Sequence, residues 1–214
     1  MYSINICISG DMNTGKSSFV YFLQTSKIYD YYVSTIGVEF TSIPYIYCHN
    51  NNEYKFKFNI WDCSGNKKFR NICRYFYNKG QTFFLFFESS RYNTFLELEN
   101  IYNYIERYGP SEKKYYLIGT KSNYGTNQST LELSEIISFA KKINATYTNI
   151  NLYKCDTIYT LLDFLCKQYL EKHNSNQDCN PDCNQDSMDS EMNTCCKICD
   201  NCCFNLLLSK CNRD

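Results

Sequence analysis

Gly10-Asp11-Met12-Asn13-Thr14-Gly15-Lys16-Ser17 decides the reading of this chain, because it has the G-x-x-x-x-G-K-[ST] spacing of a phosphate-binding loop. Ile4, Ile6 and Ile8 before it alternate as a strand does, and Phe19, Val20, Phe22 and Leu23 after it recur at helical spacing. Strand, loop and helix therefore come in the order the motif needs. A polyphosphate presents negative oxygens, and main-chain N–H groups opening a helix can point at them with the helix dipole behind. The motif predicts that Asp11, Met12, Asn13, Thr14, Gly15, Lys16, Ser17 and Ser18 form this cradle. Lys16 would reach the β- and γ-phosphates, and the Ser17 hydroxyl would ligate Mg²⁺.

The rest of the composition limits what else the chain does. A length of 214 residues fits one domain with an appendage. Lys and Arg number 22 against 22 Asp and Glu, so no global field draws the chain to nucleic acid or to an anionic membrane. No nucleic-acid partner is expected. The first strand begins almost at Met1, which leaves no room for a signal peptide, and no apolar run reaches membrane-span length. A cytoplasmic protein is expected, and in that reducing compartment its 14 cysteines read as thiols rather than disulfides.

Further along, two β-rich runs between Gly37 and Trp61 flank the polar turn His49-Asn50-Asn51-Asn52. In the second run Phe56, Phe58 and Ile60 alternate with Lys55, Lys57 and Asn59, as a strand with one solvated face does. Thr82-Phe83-Phe84-Leu85-Phe86-Phe87 is apolar throughout, which places it mid-sheet under cover on both faces. Phe95, Leu98, Tyr102 and Ile105 predict an amphipathic helix ended by Gly109-Pro110. Tyr115-Tyr116-Leu117-Ile118 reads as a strand. Leu133, Ile136, Ile137 and Ala140 read as one helix, and Ile158, Leu161, Leu162, Leu165 and Tyr169 as a last one. Strands alternating with helices predict an α/β fold with a mostly parallel, doubly wound sheet that binds ligands at the C-terminal strand ends. Beyond about Glu171 periodicity dissolves into Asn, Asp, Ser and Cys, so residues 1–172 read as the domain and 173–214 as a disordered, Cys-rich tail.

Loops following the strands supply the remaining chemistry. Asp62-Cys63-Ser64-Gly65 has the form D-x-x-G: the carboxylate would hold Mg²⁺ through water and the Gly65 N–H would meet the γ-phosphate. Thr35 stands 18 residues after Ser17 within Ser34-Thr35-Ile36-Gly37-Val38-Glu39-Phe40, and Gly119-Thr120-Lys121-Ser122-Asn123 lies at the fifth strand. Taken in order over residues 2–172, these segments resemble the small GTPases. Ile36-Gly37-Val38-Glu39-Phe40, Lys57-Phe58-Asn59-Ile60-Trp61-Asp62, Phe69-Arg70 and Phe76-Tyr77 are similar to the Rab branch.

The resemblance implies a P-loop NTPase G domain, with a mostly parallel six-stranded sheet, one antiparallel edge strand and helices on both faces. It implies GTP or GDP bound with Mg²⁺, and metal ligation by Ser17, Thr35 and Asp62. Thr35 would sense the γ-phosphate, so that its loop and the one after Gly65 are ordered with GTP and relax with GDP. Effector and regulator proteins would dock on these switches and the hairpin between them, through Ile36, Val38, Phe40, Trp61, Phe76 and Tyr77. For Trp61 and Phe76 core packing competes with that role. The implied activity is GTP hydrolysis, with Lys16, Gly65 and Asn66 at the catalytic positions, in a membrane-traffic switch.

Departures from the family pattern carry their own expectations. Asn66 replaces the usual Gln and is one methylene too short to orient the attacking water well, while Met12 puts bulk where an activator's arginine must approach. Hydrolysis should be very slow, in a regime where that machinery supplies about 10³ to 10⁵ in rate. A non-hydrolysing module that binds nucleotide and presents or sequesters partners is the alternative. Asn123 replaces the Asp that accepts from guanine N1–H and the 2-amino group. Setting one donor against another and losing a charge-assisted bond costs about 1.5 to 3 kcal/mol, which favours xanthine over guanine. Thr120 is a milder change, and Lys121 still has an alkyl chain to lay on the purine. Leu152 falls where a backbone N–H meets the base, and either Ile28 or Tyr29 occupies the position stacked on its other face.

Cys179, Cys183, Cys195, Cys196, Cys199, Cys202, Cys203 and Cys211 lie in the tail. The resemblance implies lipidation, at Cys211 and within the Cys195 to Cys203 cluster beside Leu206-Leu207-Leu208, which would hold the protein on the cytosolic face of a membrane. The ending Cys211-Asn212-Arg213-Asp214 has the length but not the aliphatic chemistry of a prenylation signal. Zinc binding by the overlapping C-x-x-C spacings at Cys196, Cys199 and Cys202, or an unmodified tail, are the other readings.

Overall fold

The computed structural model describes residues 1–28, 33–121 and 131–174. Its elements are β1 (Tyr2–Gly10), α1 (Lys16–Thr25), β2 (Val38–His49), β3 (Asn52–Cys63), a 3₁₀ turn (Lys67–Phe69), α2 (Arg70–Tyr77), β4 (Thr82–Glu88), α3 (Tyr92–Tyr108), β5 (Lys114–Thr120), α4 (Leu133–Lys142), β6 (Ala145–Asn149) and α5 (Cys155–Asn174). They build one six-stranded sheet in the order β2-β3-β1-β4-β5-β6. β2 runs antiparallel to β3, and every other pairing is parallel. The expected α/β architecture, with its single antiparallel edge strand, is the one observed.

Every residue of β4 is buried, as its unbroken apolar run required. On one face of the sheet α1 and α5 pack over Ile6, Ile8, Phe58, Ile60, Phe84, Phe86 and Tyr116. On the other, α2, α3 and α4 cover Cys7, Phe83, Leu85, Phe87, Tyr115 and Leu117. The alternation of Phe84 and Phe86 with Phe83, Leu85 and Phe87 serves both cores at once, since successive strand side chains point to opposite faces. Truncating a fully buried ring such as Phe84 to Ala would cost about 3 to 5 kcal/mol. At the edge, the Tyr45 hydroxyl on β2 donates to the Asp163 carboxylate on α5 at 2.6 Å, tying the hairpin to the last helix.

Two details correct the sequence reading. The helix expected from Leu133, Ile136, Ile137 and Ala140 is α4, but Leu133 and Ile137 are exposed on it; α4 turns Ile136 and Ala140 inward and half-buries Phe139 instead. A face defined by four apolar residues leaves about 100° of choice, and packing against β6 and α3 fixes it. Tyr77, expected among the docking residues, is buried, with its hydroxyl 3.2 Å from Ser9 Oγ. The sixth strand, Ala145–Asn149, had no alternation to announce it and is set by pairing with β5.

Candidate nucleotide site

The site forms where β1, β3, β4 and β5 end on the same side of the sheet. After β1 the chain turns through the loop and enters α1 at Lys16, with Gly15 capping the helix at φ 90°. That left-handed conformation explains a glycine there. Gly65, at the end of the D-x-x-G segment, lies so close to the loop that an added Cβ would sit 2.5 Å from Met12 N. Met12, Asn13, Thr14, Gly15, Lys16, Ser17 and Ser18 line one cavity together with Val33, Ser34, Thr35 and Gly65. Two segments some 20 and 50 residues from the loop in sequence are thus brought to it.

Where the sequence reading expects Mg²⁺, three side chains bring oxygens together. Ser17 Oγ donates to Asp62 Oδ2 at 2.5 Å and is 2.7 Å from Thr35 Oγ1, which in turn is 3.4 Å from Asp62 Oδ2. The other carboxylate oxygen, Asp62 Oδ1, is buried without a hydrogen-bond partner among the described residues. A buried acceptor left so is costly unless a cation or water satisfies it. Burial pushes the Asp62 carboxyl up to about 6, against the pull of the Ser17 hydrogen bond and the Lys16 charge. Two hydroxyls and a carboxylate are the hard oxygen donors that Mg²⁺ prefers, so the donor set fits the expected ion.

Lys16 is buried, its ammonium donating to the Asp11 carbonyl at 2.7 Å and lying 3.4 Å from Thr14 Oγ1. Burial lowers its pKa, while Asp62 and Asp11 oppose that shift. Met12 stands on the rim, 44% exposed. The base-loop residues also reach the phosphate loop. The Thr120 hydroxyl donates to the Thr14 carbonyl at 2.9 Å, shared with the Phe87 carbonyl at 3.1 Å. Lys121 Nζ donates to the Asn13 carbonyl at 2.8 Å. Leu152 comes within van der Waals range of Gly15, 3.8 Å from a Cβ built there. Ile28 packs against the core, whereas Tyr29, Asn123 and all the tail cysteines lie outside the described residues.

Asn66 is next to Gly65, and its side chain is engaged. Asn66 Oδ1 accepts the Lys68 N–H at 3.0 Å and so caps the 3₁₀ turn that leads into α2. On the expected docking surface, Ile36 is 80% and Phe40 57% exposed, and Phe40 packs on half-buried Trp61 with ring centroids 5.0 Å apart.

Sequence reasoning overlooked Glu88 and Arg91. Glu88 ends β4, almost fully buried, and Arg91 follows it before α3. Arg91 Nη2 donates to the Met12 carbonyl at 2.8 Å. The available signal was a carboxylate at the C-terminal end of a wholly apolar central strand, where an α/β sheet places ligands.

The sequence model of the Ras family matches residues 5–171. The chain belongs to the Ras family. The Ras-related protein SEC4 of Saccharomyces cerevisiae is 24% identical to it over 174 residues, covering 81% of this chain and 78% of that protein. The GTP-binding protein ypt4 of Schizosaccharomyces pombe is 26% identical over 161 residues, with 72% and 68% covered. Human Ras-related protein Rab-3A is 24% identical over 175 residues, with 79% and 77% covered. These relatives agree with the Rab-like character of the Ile36–Phe40 run. In this Ras-family chain the phosphate loop, Thr35 and Asp62 stand together as the motifs required.

Proposed function

We propose that this Ras-family protein is a Rab-like switch that binds GTP and GDP with Mg²⁺, hydrolyses GTP slowly, and acts in vesicle traffic. Asn66 carries the slow-hydrolysis reading. Its side chain is short, and its one acceptor oxygen holds the Lys68 N–H rather than facing the cavity that Gly65 lines. A residue that must orient water needs that oxygen, so hydrolysis through Asn66 competes with the helix cap. Ser17, Thr35 and Asp62 would hold Mg²⁺, which would supply charge neutralisation at the phosphates when bound. Lys16 would add its ammonium, and Thr35 would draw its loop toward the site.

Asn123 supports lowered guanine selectivity, and exposed Ile36 and Phe40 support effector docking on the switches. Among the described residues no helix is long and apolar enough to cross a membrane. In this reading attachment rests on lipidated tail cysteines, Cys211 and the Cys195 to Cys203 cluster, as the Rab-like relatives suggest, with the protein peripheral on the cytosolic face of a membrane. Mass spectrometry of the tail after expression in a eukaryotic host tests this, with unmodified cysteines as the contrary result.

Identification of the copurifying nucleotide, followed by single-turnover hydrolysis, tests the core of the proposal. Bound guanine nucleotide with a turnover well below that of ordinary small GTPases is the expected result; turnover equal to theirs refutes the slow switch. The second reading is a nucleotide-binding pseudo-GTPase, a non-hydrolysing partner-binding module. Met12 on the cavity rim favours it, because its bulk would also exclude an activator's arginine. Bound triphosphate that persists with and without activator would select it.

A further inference from the structure

Three carbonyl groups of the phosphate loop are held from outside. The Met12 oxygen takes Arg91 Nη2 at 2.8 Å, the Asn13 oxygen takes Lys121 Nζ at 2.8 Å, and the Thr14 oxygen takes Thr120 Oγ1 at 2.9 Å. None of the three donors is among the residues lining the cavity. In a planar trans peptide the C=O of one residue and the N–H of the next point in opposite directions, and the described chain has no cis peptide. Holding the carbonyls of residues 12, 13 and 14 outward therefore turns the N–H groups of Asn13, Thr14 and Gly15 toward the cavity.

Two of the three donors depend on one carboxylate. Glu88 Oε2 accepts Arg91 Nε at 2.9 Å and Lys121 Nζ at 3.0 Å, while Oε1 accepts Ser90 Oγ at 2.8 Å. Burial works to raise the Glu88 carboxyl, but hydrogen bonds from Lys121, Ser90 and Arg91 outweigh it and hold it below the usual range. Arg and Lys side chains are long and lose much rotamer freedom when fixed, so without an anchor both would sample solvent.

We propose that Glu88 is a positioning residue for phosphate binding: by fixing Arg91 against the Met12 carbonyl and Lys121 against the Asn13 carbonyl, it aims the loop amides at a purine nucleotide's phosphates. This rests on the nucleotide reading of the site. It makes the end of β4 a brace between the base loop and the phosphate loop, and it gives Arg91 a role through main-chain orientation rather than through contact with ligand.

The test measures release of fluorescently labelled guanosine and xanthosine diphosphates, with Mg²⁺, from the full chain and from Glu88→Gln, Arg91→Gln and Arg91→Lys. Glu88→Gln and Arg91→Gln should each speed release about tenfold, and the double variant should do little more, because both act through one brace. Arg91→Lys, which keeps a cationic donor, should recover part of the loss. The ³¹P shift of the bound β-phosphate should move in the Gln variants, a readout that a merely structural residue leaves in place. Glu99→Gln, which removes a surface ion pair with Lys142, is the control and should leave release unchanged. Arg91 is 42% exposed, so its variants remain informative should Glu88→Gln fail to fold. Wild-type protein that takes up neither nucleotide would remove the underlying reading of the site. Wild-type protein that binds, with release and ³¹P shift unaltered in Arg91→Gln, would overturn this inference alone.

Discussion

The two sides of the site are built differently. The phosphate loop is braced by side chains from β4, β5 and the β4–α3 turn, through Arg91, Lys121 and Thr120, and from within by Lys16 on the Asp11 carbonyl. The switch side depends on fewer atoms. Thr35 meets the rest through the Ser17 and Asp62 oxygens, Gly37 through its carbonyl, which takes the Ser64 N–H at 2.9 Å and the Cys73 thiol at 3.7 Å, and Asn66 spends its acceptor on its own turn. A braced wall keeps its shape without ligand, whereas a wall held through the Ser17 and Asp62 oxygens would change if a cation bound there. Rigidity on one side and conditional contact on the other is what a two-state device requires.

Experiments can break this contrast at either wall. The largest effect should come from Lys16→Ala, which takes the buried ammonium out of the cradle and removes a positive charge that acts on Asp62. Nucleotide affinity should fall about 10²- to 10³-fold, as read by fluorescent nucleotide titration, since truncating one member of a buried charged group costs 2 to 5 kcal/mol. Asn66→Gln restores the missing methylene on the switch side. Single-turnover GTP hydrolysis should rise about 10- to 100-fold, and no rise would mean that Met12 or another feature limits the rate.

Thr35→Ala should weaken triphosphate binding about tenfold while leaving diphosphate nearly unchanged. Chelating Mg²⁺ should abolish that difference; a loss shared equally by both nucleotides would place Thr35 on the braced side instead. The smallest effect concerns pH. Glu88 has a lowered folded pKa, so its stabilising contribution is complete above the ordinary carboxylate range and is lost as pH falls through the folded value. Thermal melts should show a stability loss on acidification that is shallower in Glu88→Gln. Equal slopes would show that Glu88 titrates alike in both states.

Much of this molecule was legible from its residues, and the reason is periodicity. Loop spacing from Gly10 to Ser17, the alternation of Phe56, Phe58 and Ile60, and the unbroken run of β4 are local patterns that only one kind of backbone satisfies. The order of these patterns along the chain, with Thr35 and Asp62 in place, was enough to indicate the family. Non-local choices escaped the same reading. Tyr77 lies one residue from half-buried Phe76 in a helix too short to reveal its inward face, and burial was decided by α2 settling over β1 and β4. Leu133 and Ile137 were as apolar as Ile136, and only the packing of α4 separated them.

From sequence alone came the loop from Gly10 to Ser17 with its lysine and the alternation of strands and helices, because short-range spacing fixes each, while the meeting of Ser17, Thr35 and Asp62 was only implied by the family resemblance. Tertiary structure alone decided that Glu88 and Arg91 brace that loop from behind and that Asn66 caps its own turn. The brace joins residues up to 108 positions apart, and a hydrogen bond between distant segments leaves no periodic trace in the chain that makes it.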